Sequence, residues 1–195
     1  MKKVAYKRVP LILILIISGG FISCAEKYKP QNSLKAEYQI FIKDVKTRTE
    51  VTAFFRFLEK RGLANVVDFK QLLRQGTDWR KVREPAYALP PRKYWPKILL
   101  TLQVLKNEIV PIVGELEVVS GFRTHRYNRR AGGARSSRHM IFGALDIIPK
   151  NNITRGELHK RLLKIWRIKG RQYKLGLGLY SRTRFHVDTV RYRRW

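Results

Sequence analysis

A histidine and an aspartate stand seven residues apart in the second half of the chain, and both residue types can ligate a metal. The aspartate, Asp146, lies inside an apolar run at residues 144–148, whereas His139 precedes that run. An ionised carboxylate among apolar side chains is costly to remove from water unless a partner compensates its charge. Because imidazole and carboxylate groups both bind zinc, the spacing predicts that His139 and Asp146 share a divalent metal ion.

The segment His186-Val187-Asp188 near the end of the sequence adds a second pair of polar side chains. Alternate residues of an extended strand lie on the same face, so we expect His186 and Asp188 to share one. If that face meets the first pair, His139, Asp146 and His186 supply three ligands and leave a fourth position for water. This arrangement is typical of catalytic rather than structural zinc, and we therefore predict one bound Zn²⁺.

Further motifs accompany these residues in a fixed order. They are Ser120-Gly121-Phe122-Arg123-Thr124, Tyr127-Asn128-Arg129-Arg130, Gly132-Gly133-Ala134, Gly176-Leu177-Gly178 and Arg194-Trp195. Together with Ser137-x-His139, Asp146 and His186-x-Asp188, they resemble the zinc D-Ala-D-Ala carboxypeptidase family of murein peptidases over residues 115–195. The resemblance implies a zinc peptidase that hydrolyses peptide bonds in peptidoglycan peptides, as a D,D-carboxypeptidase or as a murein endopeptidase.

The resemblance also implies roles for individual residues. His139, Asp146 and His186 match the metal ligands of the family. Arg123 matches the arginine that follows Ser-Gly-aromatic, where it would stabilise a developing oxyanion or hold a substrate carboxylate. Ser137 would orient the site through a hydrogen bond behind the ligands.

The sequence departs from the family pattern at two places. Phe142 stands three residues after the first ligand, where a glycine is usual, so the turn there could be reshaped. Thr183 and Arg184 occupy positions at which relatives often carry a glutamate or histidine base. Asp188 is the remaining nearby acid, and as a catalytic residue it would deprotonate the attacking water. Alternatively, it only orients His186, and the sequence leaves both roles open.

The missing base leaves a second function open, a non-catalytic peptidoglycan-binding domain that retains the zinc scaffold. A nucleic-acid-binding protein is a third class, suggested by aromatic residues among many basic ones. We disfavour it because no known binding motif is present and the N-terminal segment described below predicts export. The other two histidines, His125 in a basic loop and His159 on the polar side of a helix, are interpreted as surface residues.

Basic residues greatly outnumber acidic ones along the whole chain. The sequence has 42 Lys and Arg against 14 Asp and Glu, a formal net charge of +28. Such a surface attracts polyanions in general, so the compartment decides the partner. We expect peptidoglycan peptides at the site, anionic envelope polymers or lipids on the basic surface, no nucleic acid, and a monomeric protein.

Residues 1–23 have the layout of a signal peptide. Basic residues within positions 2–8 precede an apolar run at 9–17, which is short for a membrane span, and small residues follow. Cys24 follows Phe21-Ile22-Ser23, which is similar to a bacterial lipobox and would make Cys24 the lipidated mature N-terminus. Ordinary signal cleavage or a retained membrane anchor are the alternatives. We therefore expect the cell envelope or periplasm, with lipid anchoring, or otherwise secretion.

Residues 24–47 are polar, with little periodicity, and are predicted to form a flexible tether. The peptidase domain then covers residues 48–195, with a helical part at 48–112 and a metal-binding α+β part at 113–195. A lone cysteine excludes an internal disulfide, so packing and a metal must stabilise the domain.

Apolar spacing predicts two short helices within residues 49–75 and a longer helix from 98 to about 110, ending near Pro111. Strands are predicted at 115–120, 144–148, 175–180 and 184–190. A capping box at Thr154 and Glu157 opens a helix that runs to about residue 168. Helices followed by strands indicate an α+β fold, with a small antiparallel sheet, flanking helices and the zinc site on the sheet.

Overall fold

The computed structural model describes residues 30–195. The predicted signal peptide at 1–23 and the lipidation site Cys24 lie outside the described residues. Within residues 30–195, no helix is long and apolar enough to cross a membrane.

The chain begins its described part with two helices, α1 at Pro30–Phe41 and α2 at Val45–Glu59. The tether expected over residues 24–47 is therefore wrong for its described part. Tyr38 of α1 is buried, and its ring meets the Tyr87 ring edge-on at 5.2 Å. The reason is the apolar spacing of Leu34, Tyr38 and Phe41, which gives α1 one face that packs against the core.

Helix α2 confirms the first of the two helices predicted within residues 49–75. The Asp44 carboxylate caps it by accepting a hydrogen bond from the Thr47 amide at 2.7 Å. The second is a short 3-10 turn, Phe69–Leu73, so the prediction of an α-helix there is wrong. Its buried residues include Leu72 and Leu73, and it ends at Arg74, whose extended backbone pairs with Tyr87 instead of continuing a helix.

The longer helix predicted from residue 98 continues past Pro111. After the 3-10 turn Arg92–Ile98, α3 covers Leu99–Val104, a π-helical turn covers Leu105–Ile109, and α4 covers Val110–Val113. Proline is tolerated in the first turn of a helix, and Pro111 lies at the start of α4, directly after the π turn. The run ends at Gly114, whose φ of 94° favours glycine.

Five strands form one sheet, and it is antiparallel except for one edge pair. They are β1 at Leu116–Ser120, β2 at Ala144–Pro149, β3 at Gly176–Leu179, β4 at Phe185–Asp188 and β5 at Arg193–Arg194. Their order across the sheet is β1-β2-β4-β3-β5, and only β3 and β5 pair in parallel. The predicted α+β class, small sheet and flanking helices are confirmed.

Two further helices complete the fold, α5 at His125–Arg130 and α6 at Arg155–Lys169. The Thr154 half of the predicted capping box is present, because the Thr154 hydroxyl accepts from the Glu157 amide at 3.2 Å, whereas the Glu157 carboxylate pairs with Arg161. Leu158 and Leu162 of α6 join one hydrophobic core with side chains of α2, α3 and the sheet. The sheet that carries His186 and Asp146 is thus backed by a continuous core, which holds these strands in place.

Candidate metal centre and cleft

Strand register brings the predicted ligands together. Asp146 on β2 is the direct antiparallel partner of His186 on β4. Paired residues of neighbouring strands project to the same face of a sheet, so the two side chains meet there. His139 lies on the 3-10 turn Arg138–Ile141 directly before β2, which directs its ring towards the same face. The three residues form a buried group with ligand atoms within 4.8 Å of one another.

The facing atoms of the three side chains lie closer together than that limit. His186 Nδ1 lies 2.9 Å from Asp146 Oδ1, and His139 Nε2 lies 3.3 Å from each of these two atoms. Zinc bonds of about 2.0–2.1 Å in a tetrahedron separate neighbouring ligand atoms by about 3.3 Å. The spacing of the three donor atoms therefore fits a tetrahedral zinc ion with one remaining position.

The outer nitrogen of each imidazole has a hydrogen-bond acceptor of its own. His139 Nδ1 lies 2.8 Å from the carbonyl oxygen of Gly121, and His186 Nε2 lies 3.1 Å from Asp188 Oδ2. A proton on each outer nitrogen leaves a lone pair on each inner nitrogen of the neutral ring. Hydrogen bonds of this kind are the usual support of metal-binding histidines, so the tautomers also fit a cation.

Burial, hydrogen bonds and neighbouring charges shift the pKa values of the three ligands in different directions. Burial lowers the pKa of His139, which favours its neutral form. Burial alone would lower the pKa of His186 too, but hydrogen bonds to Asp146 and Asp188 outweigh it and raise that pKa. Burial would raise the pKa of Asp146, yet hydrogen bonds and charge interactions with both histidines hold it well below its usual value. The carboxylate is therefore ionised and ready to bind a cation.

Two arginines bind the other oxygen of Asp146. Arg123 Nη2 donates to Asp146 Oδ2 at 2.8 Å, and Arg184 Nη2 donates to the same oxygen at 2.6 Å. Arg123 is itself held through Nε by Ser120 Oγ at 2.8 Å. Both guanidinium groups leave Oδ1 to the histidines and place positive charge beside the metal position. Arg123 therefore lies beside the metal position, and its expected role toward an oxyanion or a substrate carboxylate stays a prediction.

The sequence does not identify Arg184 as a site residue, because it stands where relatives often carry a base and an arginine cannot serve as one. Its Nε atom is buried and has no hydrogen-bond partner among the described residues. Strand alternation was the available signal, since Arg184, His186 and Asp188 are spaced two residues apart and share one face. The basic residue at this position contacts the ligand carboxylate and cannot act as a base.

Asp188 lies behind His186, on the opposite side of the ring from Asp146 and His139. It is fully buried, and Arg193 Nη2 donates to its Oδ2 at 2.7 Å. The Val190 amide donates to its Oδ1 at 3.0 Å. These contacts argue against the expected catalytic role as a base and in favour of the second role, in which Asp188 positions His186.

Ser137 lines the cleft in front of the metal group, but the hydrogen bond expected of it is not made. Within residues 30–195, the Ser137 hydroxyl has no hydrogen bond to a ligand, and Gly121 and Asp188 hold the two histidine rings instead. Ser137 precedes the 3-10 turn that carries His139, and its carbonyl accepts from the Met140 amide at 3.2 Å. Its contribution in this structure is to the turn.

Phe142 explains how the chain departs from the family at the turn after His139. Its backbone has a φ of 56°, in the left-handed region that glycine adopts without strain. Its fully buried ring packs against Phe54 at 5.6 Å and Phe122 at 6.1 Å. The turn therefore keeps a glycine-like backbone, and the side chain gains core packing in exchange for strain.

The two remaining histidines do not join the metal group. His125 is exposed at the start of α5, as predicted. His159 on α6 is half-buried rather than a surface residue, and its Nε2 atom has no hydrogen-bond partner among the described residues. Burial lowers its pKa.

The metal group opens into a cleft of about 830 Å³. Its walls include the loop at residues 76–78, the loop at 131–134, Tyr180, Arg184 and Trp195. Burial raises the pKa of Tyr180, so its hydroxyl stays protonated and can donate a hydrogen bond. The Trp195 ring lies 5.1 Å from the His186 ring. A peptide in this cleft would lie against the metal position.

Comparison with known proteins gives one match. A model of the Peptidase M15 family matches residues 70–188, which is more than half of the chain and includes all three residues of the metal group. No curated protein and no solved structure matches the chain.

Proposed function

Since the chain belongs to the Peptidase M15 family, we propose that it hydrolyses peptide bonds in peptidoglycan, as a D,D-carboxypeptidase or as a murein endopeptidase. Family membership supports a zinc peptidase of the peptidoglycan-hydrolase type. The products of the reaction distinguish a carboxypeptidase, which removes a terminal D-amino acid, from an endopeptidase, which cuts a cross-bridge.

The observation that carries the proposal is the convergence of His139 Nε2, Asp146 Oδ1 and His186 Nδ1. Two imidazole nitrogens and one carboxylate oxygen lie at the spacing of zinc ligands, and they face an open cleft. The three side chains are 2–5% exposed, so the carboxylate is almost fully removed from water. A metal that closes this group compensates that charge and keeps one position for the reaction.

The surrounding residues support hydrolysis at this position. A zinc ion held by His139, Asp146 and His186 would supply Lewis acidity to polarise the scissile carbonyl and activate a water molecule. Arg123 and Arg184 hold Asp146 so that Oδ1 faces the metal position. Their positive charge beside the metal position would also stabilise negative charge that develops on the carbonyl oxygen of a bound substrate. Asp188 keeps the His186 ring in the ligand orientation.

We place the protein in the cell envelope, where its substrate occurs. The signal-peptide layout of residues 1–23 and the lipobox-like position of Cys24 support export and a lipid anchor. The net charge of +28 favours contact with anionic envelope polymers or lipids.

The test is to measure zinc content and turnover on the same preparation. The purified protein is analysed for bound metal and incubated with purified muropeptides, with His139→Ala as the inactive control. We expect about one zinc per chain and new peptide products, both lost in the variant. Loss of one terminal residue identifies a carboxypeptidase, whereas conversion of cross-linked dimers to monomers identifies an endopeptidase. A wild-type protein without zinc contradicts the proposal.

A non-catalytic peptidoglycan-binding domain is the second candidate. It is favoured by Arg184, which occupies a position where relatives often carry a base and contacts Asp146 instead. Zinc-loaded protein that binds muropeptides but releases no product from any of them would establish this candidate and exclude the peptidase.

A further inference from the structure

The cleft in front of the metal group is lined by far more positive than negative side chains. Its carboxylates, among the described residues, are Asp78 and Asp146. Its guanidinium groups are those of Arg123, Arg138, Arg182, Arg184, Arg191 and Arg193. Six guanidinium groups around one cleft repel one another unless something negative lies between them.

Three of the six arginines are paired within the protein. Arg123 and Arg184 both donate to Asp146, and Arg193 donates to Asp188. These three arginines therefore act on the metal ligands and on Asp188 behind them. Their ion pairs with Asp146 and Asp188 account for their presence in the cleft.

The other three arginines have no such partner. Among residues 30–195, the side chains of Arg138, Arg182 and Arg191 make no hydrogen bond or ion pair. Arg138 directly precedes the ligand His139, and Arg182 lies in the turn between β3 and β4. Arg191 lies between β4 and β5. They come from three separate segments, yet all line one cleft, with Arg182 and Arg191 exposed and Arg138 half-buried, so their charges are available to a molecule that binds there.

The backbone at Arg182 adds a second observation. Its φ is 83°, a conformation that glycine adopts readily and a branched or long side chain does not. An arginine at this position therefore costs backbone strain that a glycine would avoid. Strain of this kind is typical of functional sites, where the side chain contributes something that the fold does not need.

We propose that Arg138, Arg182 and Arg191 select peptide substrates that carry a free carboxylate within the stem peptide, besides the terminal carboxylate and the groups of the bond to be cut. The guanidinium group binds carboxylates through paired hydrogen bonds, which gives orientation as well as attraction. A peptide that lacks this carboxylate would leave the three guanidinium groups in the cleft without an anionic partner. The proposal deepens the proposed function and rests on it for the identity of the site, but it is tested by binding as well as by turnover.

The experiment compares two forms of one peptide. A synthetic stem pentapeptide ending in D-Ala-D-Ala is prepared with its glutamate carboxylate free or converted to the amide. Binding of each form to the zinc-loaded full chain is measured by titration calorimetry, and cleavage is followed by mass spectrometry. The variant Arg138→Gln/Arg182→Gln/Arg191→Gln is compared with wild type.

A matched control variant distinguishes the effect of the three cleft arginines on binding from the effect of the basic surface in general. Arg48→Gln/Arg56→Gln/Arg155→Gln removes the same number of charges from exposed positions on α2 and α6. Because the two triple variants have equal net charge, long-range attraction of anions falls equally in both. Thermal unfolding of each variant shows whether it is folded.

We expect the wild type to prefer the free acid over the amide by at least about tenfold in affinity. In the cleft variant the preference falls towards one, mainly through weaker binding of the acid, while the control variant keeps it. Equal binding of both forms by the wild type overturns the proposal, as does loss of preference in the control alone. Acid-selective binding without cleavage sustains this inference and contradicts the peptidase.

Discussion

At the metal centre, every ligand is held by a second group on the side away from the metal. Gly121 and Asp188 accept from the two histidines, and two arginines donate to the far oxygen of Asp146. Such hydrogen bonds fix the tautomer and the orientation of a ligand before the metal arrives. The metal affinity of the site therefore depends on residues that do not touch the metal.

Asp188→Asn tests the positioning role of Asp188. The amide keeps the shape but loses the charge that stabilises the His186 ring, so we expect zinc affinity to fall about 10- to 100-fold. At saturating zinc, turnover should remain within about tenfold of wild type. A general base would instead cost about 100- to 10,000-fold in turnover at any zinc concentration and remove the acidic limb of the pH profile. Asp78→Asn, in the same cleft, is the control and should leave zinc affinity unchanged.

Zinc affinity should depend on pH through His186. Its pKa lies above the usual 6.5 in the metal-free protein, so the ring keeps a proton to a higher pH and zinc must displace it. Affinity therefore rises with pH, by about tenfold per unit for one displaced proton, and levels off above that pKa. His139 adds little, because burial lowers its pKa. Chelator competition from about pH 5.5 to about 8.5, which brackets the ordinary histidine pKa of about 6.5, measures the slope. A flat profile would refute the assignment.

Among the elements, β3 has to pass close to the buried Asp188. Gly176 of β3 pairs with Asp188 of β4, and a Cβ atom at Gly176 would collide with the Asp188 carboxylate. The glycine of the Gly-Leu-Gly motif is therefore required by the carboxylate behind His186. The family motif on β3 and the His-x-Asp motif on β4 form one structural unit.

Gly176→Ala should disturb that unit. The added methyl group forces Asp188 or β3 to shift, and overpacking of this kind costs about 1–3 kcal/mol of unfolding free energy. We also expect weaker zinc binding, since Asp188 orients His186. Urea unfolding and zinc titration measure both effects. Gly156→Ala, on the open side of α6 where a Cβ meets nothing within 4 Å, is the matched control and should be neutral or slightly stabilising. Equal stability of the two variants would contradict the packing argument.

For the molecule as a whole, the metal joins segments that are far apart in the sequence. His139 comes from the turn before β2, whereas His186 comes from β4, 47 residues later. A ligand that binds only the folded state stabilises it by mass action, so zinc should contribute to stability in a chain without a disulfide.

Removal of zinc should therefore lower the melting temperature. At free zinc about 100 times its Kd, the gain is about 2.7 kcal/mol, or about 5–10 °C for a domain of this size. Differential scanning calorimetry with and without a chelator measures the shift. His139→Ala should melt at the same temperature under both conditions, and an equal chelator effect on that variant would point to zinc bound elsewhere.

From the sequence alone, the α+β class, the strands β1 to β4, the α6 cap and the metal group of His139, Asp146 and His186 could be predicted, whereas the edge strand β5 was missed. These features depend on local patterns, such as strand alternation, capping residues and the ordered motifs around the ligands. Each of these patterns lies within a short segment of the chain, so it can be recognised in the sequence without knowledge of the fold.

Only the tertiary structure decided on which side of His186 the Asp188 carboxylate lies, and that Arg184 binds Asp146. It also showed that α1 packs on the core where a tether was expected. The Ser137 hydroxyl makes no hydrogen bond to the ligand histidines, which are held by Gly121 and Asp188. Each of these depends on distances between residues well separated in the chain. Such distances follow from the register of β2 against β4 and from packing on a shared core, which composition and spacing do not specify.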